Sequence, residues 1–276
     1  MLSKVVSSLR TRATESRSRV VSLLATAVDY GLFSIRLALA PKQLVEDKLG
    51  AGYQTQLEAN GICIVENFWD ANTCAAARAE VDRVIEQYPE YLHAHTKSDL
   101  RIFGANNVSS IIDEFARHPT LQAIASVYNR ASTRAAFTLA AKMPYSHSNK
   151  GSGEGWHRDA FFRQFKAIMY LTDVELNNGP FQFLRDSHKR GQVLRDIWTG
   201  KLRYSQNRLS DSEVELILHS SPSRLQTYTA KAGTLILVDT SAVHRGIPIK
   251  EGCRYALTNY YYPENAIDDA MMEKYL

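Results

Sequence analysis

From about residue 134 onward the chain is written in short apolar bursts: RAAFTLAAKM (134–143), KAIMYLTDV (166–174), GPFQFL (179–184), RLQTYTA (224–230), GTLILVD (233–239) and CRYALTNYYYP (253–263). Each is rich in β-branched or aromatic residues and is punctuated by Gly, Pro or polar residues. That rhythm belongs to an all-β sandwich or barrel. Upstream the pattern is helical. Residues 42–58 read as a helix. In DANTCAAARAEVDRVIEQY (70–88), Cys74, Ala77, Val81, Ile85 and Tyr88 recur at helical spacing before Pro89 closes the run. HPTLQAIASVYNR (118–130) is a further helix with Pro119 at its start. Between the two helices and their forerunner, GICIVENF (61–68) reads as a strand, and the polar stretch from Leu194 to Ser221 as a partly helical insertion. The expected architecture is α+β with a mainly β core, its N-terminal helices packed as a layer against the sheet.

With 276 residues, 45% hydrophobic and 22% charged, the chain has ample material for one large core. The formal charge of +4 is mild, and its cations are scattered rather than interleaved with aromatics, which excludes a nucleic-acid reader. Cys63, Cys74 and Cys253 form no C-x-x-C pair, so neither a disulfide framework nor a cysteine zinc site is expected, and a reducing, cytoplasmic setting is.

Residues 1–41 stand apart as a basic extension before a domain over 42–276. Lys4, Arg10, Arg12, Arg17 and Arg19 face a single acid, Glu15, and VVSLLATAVDYGLFSIRLALA (20–40) follows. Asp29 and Arg36 break the apolar run, which speaks against a transmembrane helix. Three readings stay open: a basic amphipathic helix on an acidic membrane surface, an organelle transit peptide, and a helix packed on the domain, closed by Pro41.

GEGWHRDAFFRQF (153–165) carries the chemistry. On a strand, His157 and Asp159 point to one face and can converge on one ion. Alone, H-x-D fits an ion pair of Asp159 with Arg158 or Arg163 equally well. His244, at the end of GTLILVDTSAVHRG (233–246), supplies a third donor if the sheet folds back on itself. Two imidazoles and one carboxylate suit non-haem Fe(II) and leave a face open for a chelating co-substrate and O2. Arg254, ten residues on, can grip a carboxylate through two parallel hydrogen bonds.

Taken together, WHRD (156–159), NNGPFQFLRDSHK (177–189), GTLILVDTSAVHRG and Arg254 resemble the phytanoyl-CoA dioxygenase family of Fe(II)/2-oxoglutarate oxygenases, over roughly residues 50–265. The resemblance implies a double-stranded β-helix, or cupin-like jelly roll. It implies Fe(II) on His157, Asp159 and His244, 2-oxoglutarate held by Arg254, and hydroxylation of a substrate with release of succinate and CO2. The carboxylate at 159 favours hydroxylation or a related oxidation over halogenation. Two departures stand out: Arg185-Asp186 replaces the usual Pro-Gly, and Gly246 replaces a hydroxyl two residues past the distal His. Tyr170 and Thr172, with Lys142 behind them, are candidates for the missing hydrogen bond to the co-substrate.

The remaining signals have ordinary readings. His188 reads as a structural residue bonding a loop carbonyl, and His93, His95, His118, His147 and His219 as surface or second-layer residues. Trp156 reads as core wall, Tyr260–Tyr262 as sheet packing, and Arg101 and Arg163 as solvated charge rather than contacts for an anionic substrate. Phe161 stays open between wall and pocket. The pocket loops are expected in 90–110, 145–155 and 190–225. The amphipathic N-terminus points to a small-molecule or lipid-like substrate near a membrane: a lipid, acyl conjugate or glycan. A non-catalytic jelly-roll scaffold that keeps the metal set is the competing function, with a cupin-like isomerase or hydrolase behind it.

Overall fold

The computed structural model describes residues 2–16, 18–40, 45, 47–94, 99–147, 150–273 and 275. Pro41 and His95 lie outside them.

The helical half comprises α1 (Leu2–Glu15), α2 (Arg19–Leu39), α3 (Lys48–Asn60), α4 (Ala71–Gln87), α5 (Ser110–Ala116) and α6 (Pro119–Asn129). Asp70 caps α4 by accepting from Thr73 N at 2.7 Å, satisfying one of the helix's unpaired amides. The inward stripe of α4 is Cys74, Ala77, Val81 and Val84, all buried, while Ile85 and Tyr88 pack at its margin. The expected stripe is therefore rotated slightly at its C-terminal end.

The described residues form ten strands: β1 (Ile62–Val65), β2 (Leu92–Ala94), β3 (Leu100–Phe103), β4 (Thr133–Pro144), β5 (Phe165–Tyr170), β6 (Phe181–Leu184), β7 (Leu225–Tyr228), β8 (Leu235–Asp239), β9 (His244–Gly246) and β10 (Cys253–Pro263). Seven follow the predicted segments; β2, β3 and β9 are short additions that the sequence pattern does not show. They make a seven-stranded sheet, β1-β8-β5-β10-β4-β3-β2, and a three-stranded sheet, β7-β6-β9, with every pairing antiparallel. This is the jelly-roll arrangement. Helices α3 to α6 cover the outer face of the large sheet around Leu57, Val81, Phe115, Leu121 and Leu257. The insertion folds as α7 (Arg190–Trp198) and α8 (Asp211–Ser220) and encloses a second core with Trp156, Val193 and Val214. Against this second core lies α2: Tyr30 stacks on Phe161 with centroids 5.8 Å apart, and Phe33 on Phe162 at 4.9 Å. Phe161 thus belongs to the wall beneath α2.

The turn from β8 to β9 is built around Asp239. Its carboxylate is buried and accepts from Tyr128 OH at 2.5 Å, Gln164 N at 3.1 Å and Ser241 N at 2.9 Å. The adjacent Thr240 carbonyl accepts from Asp159 N at 2.9 Å. One buried carboxylate therefore ties helix α6, the end of β8 and the H-x-D segment together. Tyr128→Phe removes a donor to a buried anion, a change that costs about 1.5–3 kcal/mol. We expect a lower urea midpoint at unchanged m-value, checked by equilibrium unfolding.

Candidate metal centre

His157 and His244 sit opposite each other on paired backbones. His157 N donates to His244 O at 2.9 Å, and His244 N returns a bond to His157 O at 2.8 Å. Directly opposed residues of an antiparallel pair present their side chains to the same face, and the two rings meet with centroids 4.3 Å apart. Each Nδ1 is bonded to a backbone carbonyl, Gly155 O for His157 and Ala242 O for His244, both at 2.9 Å. A carbonyl only accepts, so Nδ1 carries the proton and Nε2 turns its lone pair inward. Asp159 completes the set: Oδ1 lies 3.7 Å from His157 Nε2, and Oδ2 lies 3.6 Å from His244 Nε2. The ligand atoms of all three residues fall within 4.8 Å of one another. That is a 2-His-1-carboxylate donor set with one face open.

The local electrostatics prepare these donors. Burial penalises the imidazolium and pulls His244 down to about 3, and it lowers His157 as well. Both rings are neutral and need lose no proton to bind a metal. Burial alone would raise Asp159, but the neighbouring Lys166 ammonium outweighs it and holds the carboxylate below its usual range. Lys166 Nζ stands 2.8 Å from Asp159 Oδ2 and 3.7 Å from the Tyr260 ring centroid.

The donors open into a cavity of about 240 Å³. Arg254 is buried in its wall. Its Nε has no hydrogen-bond partner among the described residues, and Nη2 meets only Met143 Sδ at 3.1 Å. A buried guanidinium without an anion is costly to maintain, so its surroundings fit an incoming carboxylate.

The other sequence candidates divide. Tyr170 lines the cavity, although its hydroxyl already accepts from Phe181 N at 2.9 Å and donates to Tyr228 O at 3.3 Å. Thr172 does not reach it. The chain leaves β5 after Tyr170, and the Thr172 hydroxyl instead accepts from Tyr255 N at 3.2 Å. Lys142 is also elsewhere. Leu139, Ala141 and Met143 of β4 face the cavity, so the alternation sends Lys142 outward to Asp82 of α4 at 2.7 Å. His188 makes no loop contact through Nδ1, which is buried and has no hydrogen-bond partner among the described residues. Ser187 makes that contact instead. It donates to Leu184 O at 2.6 Å and accepts from Val243 N at 2.7 Å, pinning the approach to His244. The replacement of Pro-Gly leaves a turn intact, because Asp186 adopts the left-handed φ of +66° that glycine takes freely. Arg163 is occupied at Tyr128, over its ring at 4.5 Å.

Of the polar residues lining the cavity, Lys166 went unread in the sequence, whereas Arg101, Ser152 and Arg208 fall in the expected pocket loops 90–110, 145–155 and 190–225. Lys166 shares the alternation of Ile168 and Tyr170, which is the signal that could have found it. Arg101 is not solvated charge; it makes two bonds to Asp99, at 2.7 and 2.5 Å, and one to Ser152 Oγ at 3.2 Å. A Cβ on Gly246 would lie 2.7 Å from Ser152 Cβ and 3.2 Å from Arg254 Nη2. Ser152 therefore fills the space that a side chain at 246 would need.

The histidine shifts set a sign for pH dependence. An unfolded chain protonates histidine near pH 6.5, whereas folded His244 resists to about 3. Between those values the unfolded state binds more protons, so stability is full above pH 6.5 and falls as pH drops. Metal-free protein should lose at least about 1 kcal/mol between pH 7.5 and 5.5, read from denaturant unfolding, and His244→Gln should flatten that slope.

The sequence profile described as phytanoyl-CoA dioxygenase (PhyH) matches residues 57–252. Among curated proteins, the ectoine dioxygenase of Bordetella bronchiseptica is 26% identical over 221 residues, covering 72% of this chain and 70% of its own. Among solved structures, apo EctD from S. alaskensis superposes with a TM-score of 0.63 at 16% identity, covering 81% of each chain. The epimerase SnoN, solved with Fe3+, alpha ketoglutarate and nogalamycin RO, gives 0.58 at 19% identity, covering 77% of this chain and 83% of its own. With the profile spanning more than half of the sequence and the three donors in place, the chain belongs to the phytanoyl-CoA dioxygenase family.

Proposed function

We propose that this protein is a non-haem Fe(II)- and 2-oxoglutarate-dependent dioxygenase that hydroxylates a small molecule, with release of succinate and CO2. The observation that carries the reading is the juxtaposition of two inward Nε2 atoms, one carboxylate and a buried guanidinium with no anionic partner among the described residues. In this reading His157, Asp159 and His244 hold the iron, and Arg254 holds the far carboxylate of 2-oxoglutarate. Ser152 supplies the hydroxyl that Gly246 lacks, and Tyr170 forms the wall beside it. When bound, iron and co-substrate supply the oxidation of a C–H bond by O2. The protein aims that chemistry: Lys166 steadies the second oxygen of Asp159, and the carbonyls of Gly155 and Ala242 fix the rings.

The test is an anaerobic titration with Fe(II) and then 2-oxoglutarate, followed by visible absorption. A weak charge-transfer band should form, and His244→Ala should abolish it. Arg254→Gln should weaken 2-oxoglutarate by about 2–5 kcal/mol, roughly 30-fold or more. If iron binds and no band forms, the reading fails. If the band forms but admitted O2 yields no succinate, the scaffold alternative is correct.

A second reading concerns α2, the one described helix long and apolar enough to cross a membrane by length and composition. Its polar residues Ser22, Thr26 and Asp29 face the protein, and Asp29 accepts from Arg10 Nε at 2.8 Å and Tyr204 OH at 2.7 Å. Val20, Leu24, Ile35 and Leu39 are each more than half exposed. At 100° per residue these four fall within about 100° of arc. We propose that this apolar ribbon lies in the plane of an anionic bilayer, with Lys4, Arg12 and Arg19 beside the headgroups. A lipid or glycan substrate met at that surface would suit it, and three free thiols suit a reducing compartment. Flotation with vesicles containing anionic lipid should carry the wild-type protein and leave Leu24→Glu/Ile35→Glu behind; equal flotation refutes the placement.

A further inference from the structure

The cavity wall carries more positive charge than the proposed iron and co-substrate can use. Among the described residues, its cations are Arg101, Lys166, Arg208 and Arg254, and Asp159 is the one carboxylate that lines it. Asp99, buried behind Arg101, compensates that guanidinium. Fe(II) and the dianion of 2-oxoglutarate cancel each other. The loaded site would still hold four positive side chains against two negative ones, with Lys166 and Arg254 buried and Arg208 exposed at the rim, where an incoming anion can reach it.

The cations are not equally occupied. Lys166 is bound to Asp159 and Arg101 to Asp99. Arg254 is assigned to the co-substrate. Arg208 has no carboxylate within ion-pair distance among the described residues, and its Nη1 bonds only carbonyls, Gly153 O at 2.8 Å and Glu154 O at 3.4 Å. Its position is set by backbone. Arg158 N donates to Asn207 O at 2.8 Å and Leu209 N to Trp156 O at 3.0 Å, which places Arg208 directly opposite His157. Opposed residues share a face, so Arg208 leans over the cavity mouth beside a metal donor. The carbonyl bonds orient its guanidinium and leave Nε and Nη2 to present a fork.

We propose that the substrate is a small molecule bearing an anionic group, carboxylate or phosphate, and that Arg208 grips that group at the mouth. A planar fork of N–H donors matches either anion. The charge left over on the wall favours, before any shape is read, a molecule that brings negative charge to the rim. The proposal rests on the iron and 2-oxoglutarate reading above.

The experiment uses full-length protein loaded anaerobically with Fe(II) and 2-oxoglutarate, at an ionic strength fixed with chloride. Propionate and ethyl phosphate are titrated in separate arms, with 1-propanol as the neutral counterpart. Perturbation of the charge-transfer band and the shift in melting temperature are the readouts. We expect a saturable response to at least one anion and none to the alcohol. Arg208→Gln should weaken that response at least tenfold and Arg208→Lys should recover part of it; the better arm names the anion. The proposal is overturned if the alcohol acts as well as the anions, if neither anion acts, or if Arg208→Gln binds as tightly as wild type. It is also overturned if the anion erases the band, since it then competes for Arg254. Absence of any band in the wild type instead refutes the iron reading beneath it, and this proposal with it.

Discussion

Two reciprocal backbone hydrogen bonds between His157 and His244 are the constraint on which the rest of the site depends. They join segments far apart in sequence and fix both ring origins before any side-chain packing is considered. The short sheet β7-β6-β9 continues through this bridge to Arg208, so the insertion and the metal donors share one hydrogen-bonded surface. Sheet formation and site formation are therefore one event. Long-range pairing of this kind is closed late and at an entropic cost, which the large cores on either side must offset.

The second organising force is charge paired at the edge of the interior, a buried Lys166 against an Asp159 that opens onto the cavity. Asp159 is drawn into a wall that also holds Lys166, and the ammonium lies over the Tyr260 ring while it meets the carboxylate. This arrangement keeps an anion ready without a metal present. Elsewhere the fold tolerates poorer balance. Arg158, between the two metal donors in sequence, is 2% exposed, and its Nε and Nη1 find no partner among the described residues. Its ring contact with Phe161, at 5.6 Å, is part of the packing under α2.

Much of this was legible in the sequence, for reasons that differ residue by residue. Seven of the ten strands were visible because a jelly roll buries short β-rich segments between polar turns. His157 and Asp159 were visible because a strand's alternation fixes their common face, and His244 and Arg254 because they follow a buried apolar strand at offsets that the resemblance supplied. Thr172 and Lys142 went astray for a local reason: alternation predicts a face only while the chain stays in the sheet and only once the inward parity is known. Tyr170 satisfied both conditions. Arg208 carried no signal beyond lying in an expected pocket loop, because its place follows from a backbone bridge between an irregular loop and the H-x-D segment. Ser152 was hidden likewise; its meaning comes from the missing side chain at 246, which lies on another strand.

Gly153 has a consequence for how this sequence can change over time. It holds φ at +82°, and a Cβ there would come within 2.0 Å of His157 Cε1. The glycine is the mould against which the imidazole is cast. It touches no metal and carries no functional group, yet any replacement must displace a ligand ring. In a saturation-mutagenesis library, position 153 would be depleted alongside 157, 159 and 244. A reader armed only with fitness scores would take a residue without a side chain for a member of the catalytic set.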